Sequence, residues 1–108
     1  MNQYTQQKFV GERALFQSRD LELSYCTFAD GESPLKESKN LKIEICLFQW
    51  KYPLWYCRNI EVKHSTMFEM ARAGIWYTDH ISMEDITYQA PKGVRRCKDV
   101  VLKDINFP

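Results

Sequence analysis

The amino-acid sequence predicts an all-β fold: a short right-handed parallel β-helix, a solenoid of about five coils with three short strands in each. Three observations carry this expectation. The chain repeats itself about every twenty residues, apolar residues alternate with polar ones inside each repeat, and turn-forming residues stand at the joints between segments.

The repeat is found by aligning Asp20-Leu-Glu-Leu, Asn40-Leu-Lys-Ile, Asn59-Ile-Glu-Val, His80-Ile-Ser-Met and Asp99-Val-Val-Leu. Their first apolar residues, Leu21, Leu41, Ile60, Ile81 and Val100, step by 20, 19, 21 and 19. Five residues on lies a second inward site: Cys26, Cys46, Ser65, Ile86 and Ile105. Two further on stands a larger residue: Phe28, Phe48, Met67, Tyr88 and Phe107. A third segment centres on Leu15, Leu35, Leu54, Ile75 and Val94. All length variation falls between the second and third segments, as expected of a repeat with one variable loop. Residues 1–108 therefore read as one β-helix domain, with 1–12 as a partial leading coil and 13–108 as repeats of 19–21 residues.

Alternation over so few residues fits half-buried strands, because successive strand side chains point to opposite faces. Stacking coils about 4.8 Å apart places like residues above one another and buries a continuous apolar column. Five coils then make a rod about 24 Å long. The column Asp20/Asn40/Asn59/His80/Asp99 is expected to form a polar ladder, with side chains bonded to backbone at each corner. A leucine-rich-repeat-like solenoid is the alternative, since Leu21-x-Leu23-x-x-Cys26-x-Phe28 resembles its repeat. That repeat places an apolar residue three positions earlier, where this chain has Ser18, Ser38, Cys57, Thr78 and Cys97. Pro34 and Pro53 also interrupt any helix in the variable stretch.

Composition narrows the function classes. The chain has 108 residues, 44% of them hydrophobic, and 15 Lys+Arg against 14 Asp+Glu give a net charge of +1. Such a balance calls for neither nucleic acid nor an anionic membrane as partner. No apolar run is long enough to span a bilayer, and the start, Met1-Asn-Gln-Tyr-Thr-Gln-Gln-Lys, lacks a signal-peptide core. A cytoplasmic protein is the expectation. Cys26, Cys46, Cys57 and Cys97 contain no Cys-x-x-Cys pair and read as reduced, buried small hydrophobes. Cys26 and Cys46 would be stacked neighbours. Cys57 and Cys97 would lie two coils apart, about 9–10 Å, beyond disulfide reach. His64 and His80 would sit about 15 Å apart at opposite ends of one strand, too far to share a metal ion. No metal site and no cofactor are expected.

Outward columns are where function could reside. Glu22/Lys42/Glu61/Ser82 and Ser24/Glu44/Lys63/Glu84/Lys103 carry charges of alternating sign, a solvated face. The column Phe16/Lys36/Trp55/Trp76/Arg95 differs: Trp55 lies beside Trp76, and Tyr56 and Tyr77 follow one position later. Nearby loops supply Trp50, Glu69 and Arg72. Aromatic faces backed by polar groups suit sugar rings, through stacking on C–H faces and hydrogen bonds to hydroxyls. Trp50, Trp55, Trp76, Tyr56, Tyr77, Glu69 and Arg72 are therefore the candidate ligand-binding residues, for a carbohydrate or small ligand. The competing readings are packing under the loops and self-association through the aromatic side or the coil ends. Asp30, Glu32, Glu69 and Asp79 are candidates for proton donor and base, but no nucleophile or phosphate-loop motif accompanies them. Glu69 and Arg72 are spaced to close a short helical turn. The expectation is a non-catalytic binding or interaction module. Val94-Arg95-Arg96-Cys97-Lys98 is a basic run that reads as isolated.

Three segments carry a resemblance to a known family: Phe28-Ala-Asp-Gly-Glu-Ser-Pro-Leu-Lys-Glu-Ser, Leu47-Phe-Gln-Trp-Lys-Tyr-Pro-Leu-Trp-Tyr and Phe68-Glu-Met-Ala-Arg-Ala-Gly-Ile-Trp-Tyr-Thr-Asp. They resemble a family of uncharacterised bacterial proteins of the pectin-lyase-like right-handed β-helix class, over most of the chain. The resemblance implies the fold and no activity, so no functional residues transfer with it. A polysaccharide lyase or hydrolase would follow from fold analogy alone.

Overall fold

The computed structural model describes residues 2–29, 31–71, 75–90 and 94–106. They form a parallel β-solenoid of about five turns, as the repeat predicts. Its first wall stacks β1 (Asn2–Thr5), β3 (Arg19–Ser24), β5 (Lys39–Glu44), β8 (Arg58–Met67), β10 (Asp79–Tyr88) and β12 (Lys98–Asn106). The second wall stacks β2 (Lys8–Val10), β4 (Thr27–Ala29), β6 (Leu47–Phe48) and the far ends of β8, β10 and β12. The third is β7 (Leu54–Trp55), β9 (Ile75–Trp76) and β11 (Val94–Arg95). Every pairing is parallel. No helix among the described residues is long and apolar enough to cross a membrane.

The register reproduces the aligned columns: Leu21 pairs Leu41, Leu41 pairs Ile60, Ile60 pairs Ile81 and Ile81 pairs Val100. Leu23, Ile43, Val62 and Met83 form a second buried column, which Tyr4 heads. Phe9, Phe28 and Phe48 stack face to face, with centroids 5.1 Å apart at each step. The core is thus a set of axial columns, each side chain touching its like in the coil above and below.

The corners have a local rule. The chain turns at non-glycine residues in the left-handed region, including Asp20, Asn40, Asn59, His80 and Asp99, with φ between 51° and 58°. Asn and Asp tolerate that region better than most residues, which explains their recurrence there. Two further left-handed columns, Gln17/Glu37/Tyr56/Tyr77/Arg96 and Tyr25/Ile45/His64/Asp85/Asp104, are each followed by an inward residue. After the first, that residue is always small: Ser18, Ser38, Cys57, Thr78 or Cys97. Thr78 donates its hydroxyl to Leu54 O at 2.9 Å and accepts the Cys57 N–H at 3.4 Å. The Cys57 thiol reaches Leu35 O at 3.0 Å, and that of Cys97 reaches Ile75 O at 3.3 Å. Small donors are needed because each corner leaves a carbonyl turned inward, where an unpaired acceptor is costly. Burial pushes the thiols of Cys46 and Cys57 up to about 12, so both stay protonated donors.

Five expectations need correction. The Asp20 ladder bonds side chain to side chain: Asn40 Nδ2 donates to Asp20 Oδ1 at 2.9 Å, and Asn59 Nδ2 to Asn40 Oδ1 at 2.8 Å. Corner side chains point outward along the axis, so their nearest partners are one another. The third segment is a strand only around Leu54, Ile75 and Val94. Around Leu15 and Leu35 it is a turn, closed by Phe16 N–H to Arg13 O and Lys36 N–H to Ser33 O. In β8, β10 and β12 the first two segments run on as one strand. The last coil is also less buried than its columns predict: Leu102 is 48% exposed and Val94 41%, since among the described residues no coil lies over them. Phe107 lies outside the described residues. The stack, with extents of 28, 24 and 20 Å, is squat and not a rod.

Candidate functional site

The aromatic wall stands where the third wall turns toward the first. Strands β7, β9 and β11 pair Trp55 with Trp76 and Trp76 with Arg95, so in-register pairing fixes the stack. The two indoles lie 5.2 Å apart at 4°, and the phenols of Tyr56 and Tyr77 lie 4.9 Å apart at 3°. Successive residues on a strand face opposite ways, but Tyr56 and Tyr77 adopt left-handed φ values of 56° and 52° and swing outward beside the indoles.

Cations close this stack. The Arg95 guanidinium sits 4.9 Å from the Trp76 ring centre, on the side away from Trp55, and Arg96 caps Tyr77 at 5.9 Å. Lys36, one coil earlier, lies 5.8 Å from the Tyr56 ring, and Tyr52 packs on Trp55 at 4.4 Å. Each outer ring of the two stacks is therefore covered by a neighbour. Such contacts contribute about 0.5–1 kcal/mol each at exposed sites. What remains open is the rim: Tyr56 is 50% exposed and Tyr77 38%, whereas Trp55 and Trp76 are half-buried.

The other candidate residues are spread around this wall. Trp50 is half-buried in the loop after β6, where Lys51 lies 5.6 Å from its ring. Glu69 is exposed in a turn closed by Ala71 N–H to Phe68 O at 2.9 Å. Arg72, its expected ion-pair partner, lies outside the described residues, as does Asp30 among the loop acids. Glu32 is half-buried in the loop before Leu35, and Asp79 opens β10. Among the described residues no three His, Cys, Asp or Glu side chains are grouped to hold a metal ion.

A basic row escaped the reading of the sequence. Arg19 pairs Lys39, Lys39 pairs Arg58, Arg58 pairs Asp79 and Asp79 pairs Lys98 along the first wall, one residue before each Asp/Asn corner. Of the run Arg95-Arg96-Cys97-Lys98, only Lys98 falls in this column, beyond Asp79, while Arg95 and Arg96 lie over the aromatic stacks. Beside Tyr56 an open groove of about 590 Å³ is lined by Gln17, Arg19, Lys36, Glu37, Lys39 and Tyr56 itself. The signal was present in the alignment, at the position preceding Asp20, Asn40, Asn59, His80 and Asp99.

Fold and site together define a parallel β-solenoid with a stacked, cation-capped aromatic wall. Residues 2–108 match the model of a family described as a protein of unknown function (DUF3737), and the chain belongs to that family. No curated protein matches the chain, and no solved structure does.

Proposed function

We propose that this protein is a non-catalytic binding module that takes a carbohydrate along the corner between its third and first walls. The observation that carries the reading is the open groove beside Tyr56, within the range of about 300–1,000 Å³ usual for ligand sites. Since the ring faces are occupied, a sugar would meet the rims of Tyr56 and Tyr77 and hydrogen-bond to the Gln17, Glu37 and Lys39 side chains. Titration with oligosaccharides, followed by aromatic fluorescence and calorimetry, tests this. Binding that weakens at least tenfold in Tyr56→Ala supports it, and the absence of binding by every sugar class sinks it.

A second reading, self-association through the coil ends, is favoured by the last coil. Leu102 is 48% exposed there and Val94 41%, and among the described residues β12 pairs only with β10, which leaves an edge of the kind that invites strand addition. Light scattering over a range of concentrations tests it. A strict monomer at the highest concentration would remove it.

A further inference from the structure

We infer that the ligand of this corner is an acidic polysaccharide, bound along the axial row of Arg19, Lys39 and Arg58; this rests on the binding reading above. Parallel pairing puts these cations in register on adjacent coils, about 4.8 Å apart. All three are exposed, and among the described residues none has a carboxylate within ion-pair distance. Like charges directly opposite one another destabilise a sheet. The other charged columns of the first wall avoid this: Glu22 pairs Lys42 and Lys42 pairs Glu61, while Glu44 pairs Lys63 and Lys63 pairs Glu84. A row of three cations runs against the local rule of this wall, and an anionic chain laid along the axis would relieve it.

The surroundings agree. Asp20 and Asp99, the nearest corner acids, are engaged by Asn40 and His80. Glu37 shares the groove with Arg19, Lys36 and Lys39, and Asp79 stands in register between Arg58 and Lys98, so each of these acids is flanked by more than one cation. A single-stranded nucleic acid would require free aromatic faces for its bases to stack on, and here Arg95, Arg96, Lys36 and Tyr52 cover the outer rings. Sugar carboxylates or sulfates need only the cations and the phenol rims. The net charge of +1 supplies no long-range attraction, so recognition depends on the row itself.

The test compares four probes on the intact chain: heparin-derived oligosaccharides, alginate oligosaccharides, neutral dextran oligosaccharides and a thymidylate oligonucleotide. The variants are Lys39→Gln with Arg58→Gln, the same pair changed to Glu, and Lys103→Gln as a control at the far end of the first wall. Thermal melts identify any variant that fails to fold, and the milder Gln pair keeps the comparison valid. The expected result is binding of an acidic oligosaccharide that weakens with salt, falls at least tenfold in both paired variants and is unchanged in Lys103→Gln. Equal binding of dextran would overturn the acidic assignment and leave the carbohydrate reading standing. No binding of any oligosaccharide would overturn both. Tighter binding of the oligonucleotide, or unchanged affinity in the paired variants, would overturn the assignment of ligand or of site.

Discussion

Trp55 and Trp76 lie one coil apart with their rings 4° from parallel, and each helps to hold the other in place. Stacked aromatic pairs contribute about 0.5–1.5 kcal/mol beyond the area they bury. Trp55→Ala and Trp76→Ala should each lower stability by about 2–3 kcal/mol, somewhat below the range for a fully buried tryptophan. The double variant should cost less than the sum, by about 1 kcal/mol. Urea unfolding of the four proteins measures this, and strict additivity would mean that the stack contributes no coupling.

Thr78 joins two coils through one hydroxyl. Thr78→Val keeps the shape but leaves Leu54 O and the Cys57 N–H without that partner. The expected loss is about 1–3 kcal/mol, with Thr78→Ser retaining most of the stability. Equal melting temperatures for Val and wild type would show that the hydroxyl is dispensable.

Ile45 has φ 52°, an unfavourable conformation for a β-branched residue. Tyr25, His64, Asp85 and Asp104 share its column, and two of these are aspartates. Ile45→Asn should therefore raise stability by about 1 kcal/mol, against the usual effect of removing an apolar side chain. A lower melting temperature would show that the packing of this half-buried residue outweighs its backbone strain.

The four cysteines should differ in reactivity. Cys26, Cys46 and Cys57 are buried, and the latter two have thiols pushed up to about 12. Thiolate is the reactive form, so an aromatic disulfide reagent at pH 8 should label Cys97 alone in the folded protein and all four in denaturant. Rapid native labelling of Cys46 would contradict the stacked arrangement.

His64 meets Asp85 across one coil, Nδ1 to Oδ2 at 2.7 Å, and this hydrogen bond raises the imidazole above its ordinary 6.5. A raised folded value means the pair stabilises the fold fully below about 6.5 and is lost as pH rises through the folded value. Asp85→Asn should bring the His64 titration, followed by NMR, back toward 6.5 and flatten stability against pH in that window. An unmoved titration would remove Asp85 as the cause.

How much of this was legible follows from the kind of signal involved. Leu41, Ile43, Cys46 and Phe48 announce their inward positions because alternation and the twenty-residue step agree on each of them. The Trp55–Trp76 stack follows from the same step. So does the Arg95 cap on Trp76, but Lys36 shares a column with Trp55 yet reaches Tyr56, because a side chain's reach is not written in its register. The Arg19 row was hidden for a different reason: its members are scattered singly along the chain, whereas Arg95-Arg96 attracts notice by adjacency. Exposure of Leu102 was equally out of view, because apolarity says which way a residue points and not whether another coil lies above it.

The corner interval of 19–21 residues has a further consequence for cutting and joining this chain. Excising residues 41–59 would bring Asn40 directly before Ile60 and leave every inward, outward and corner position in phase with the coil beneath. A deletion of ten residues, by contrast, would set one wall against another. Outside the variable loop the protein can thus be shortened or lengthened only in whole turns, and its unit of engineering is the coil.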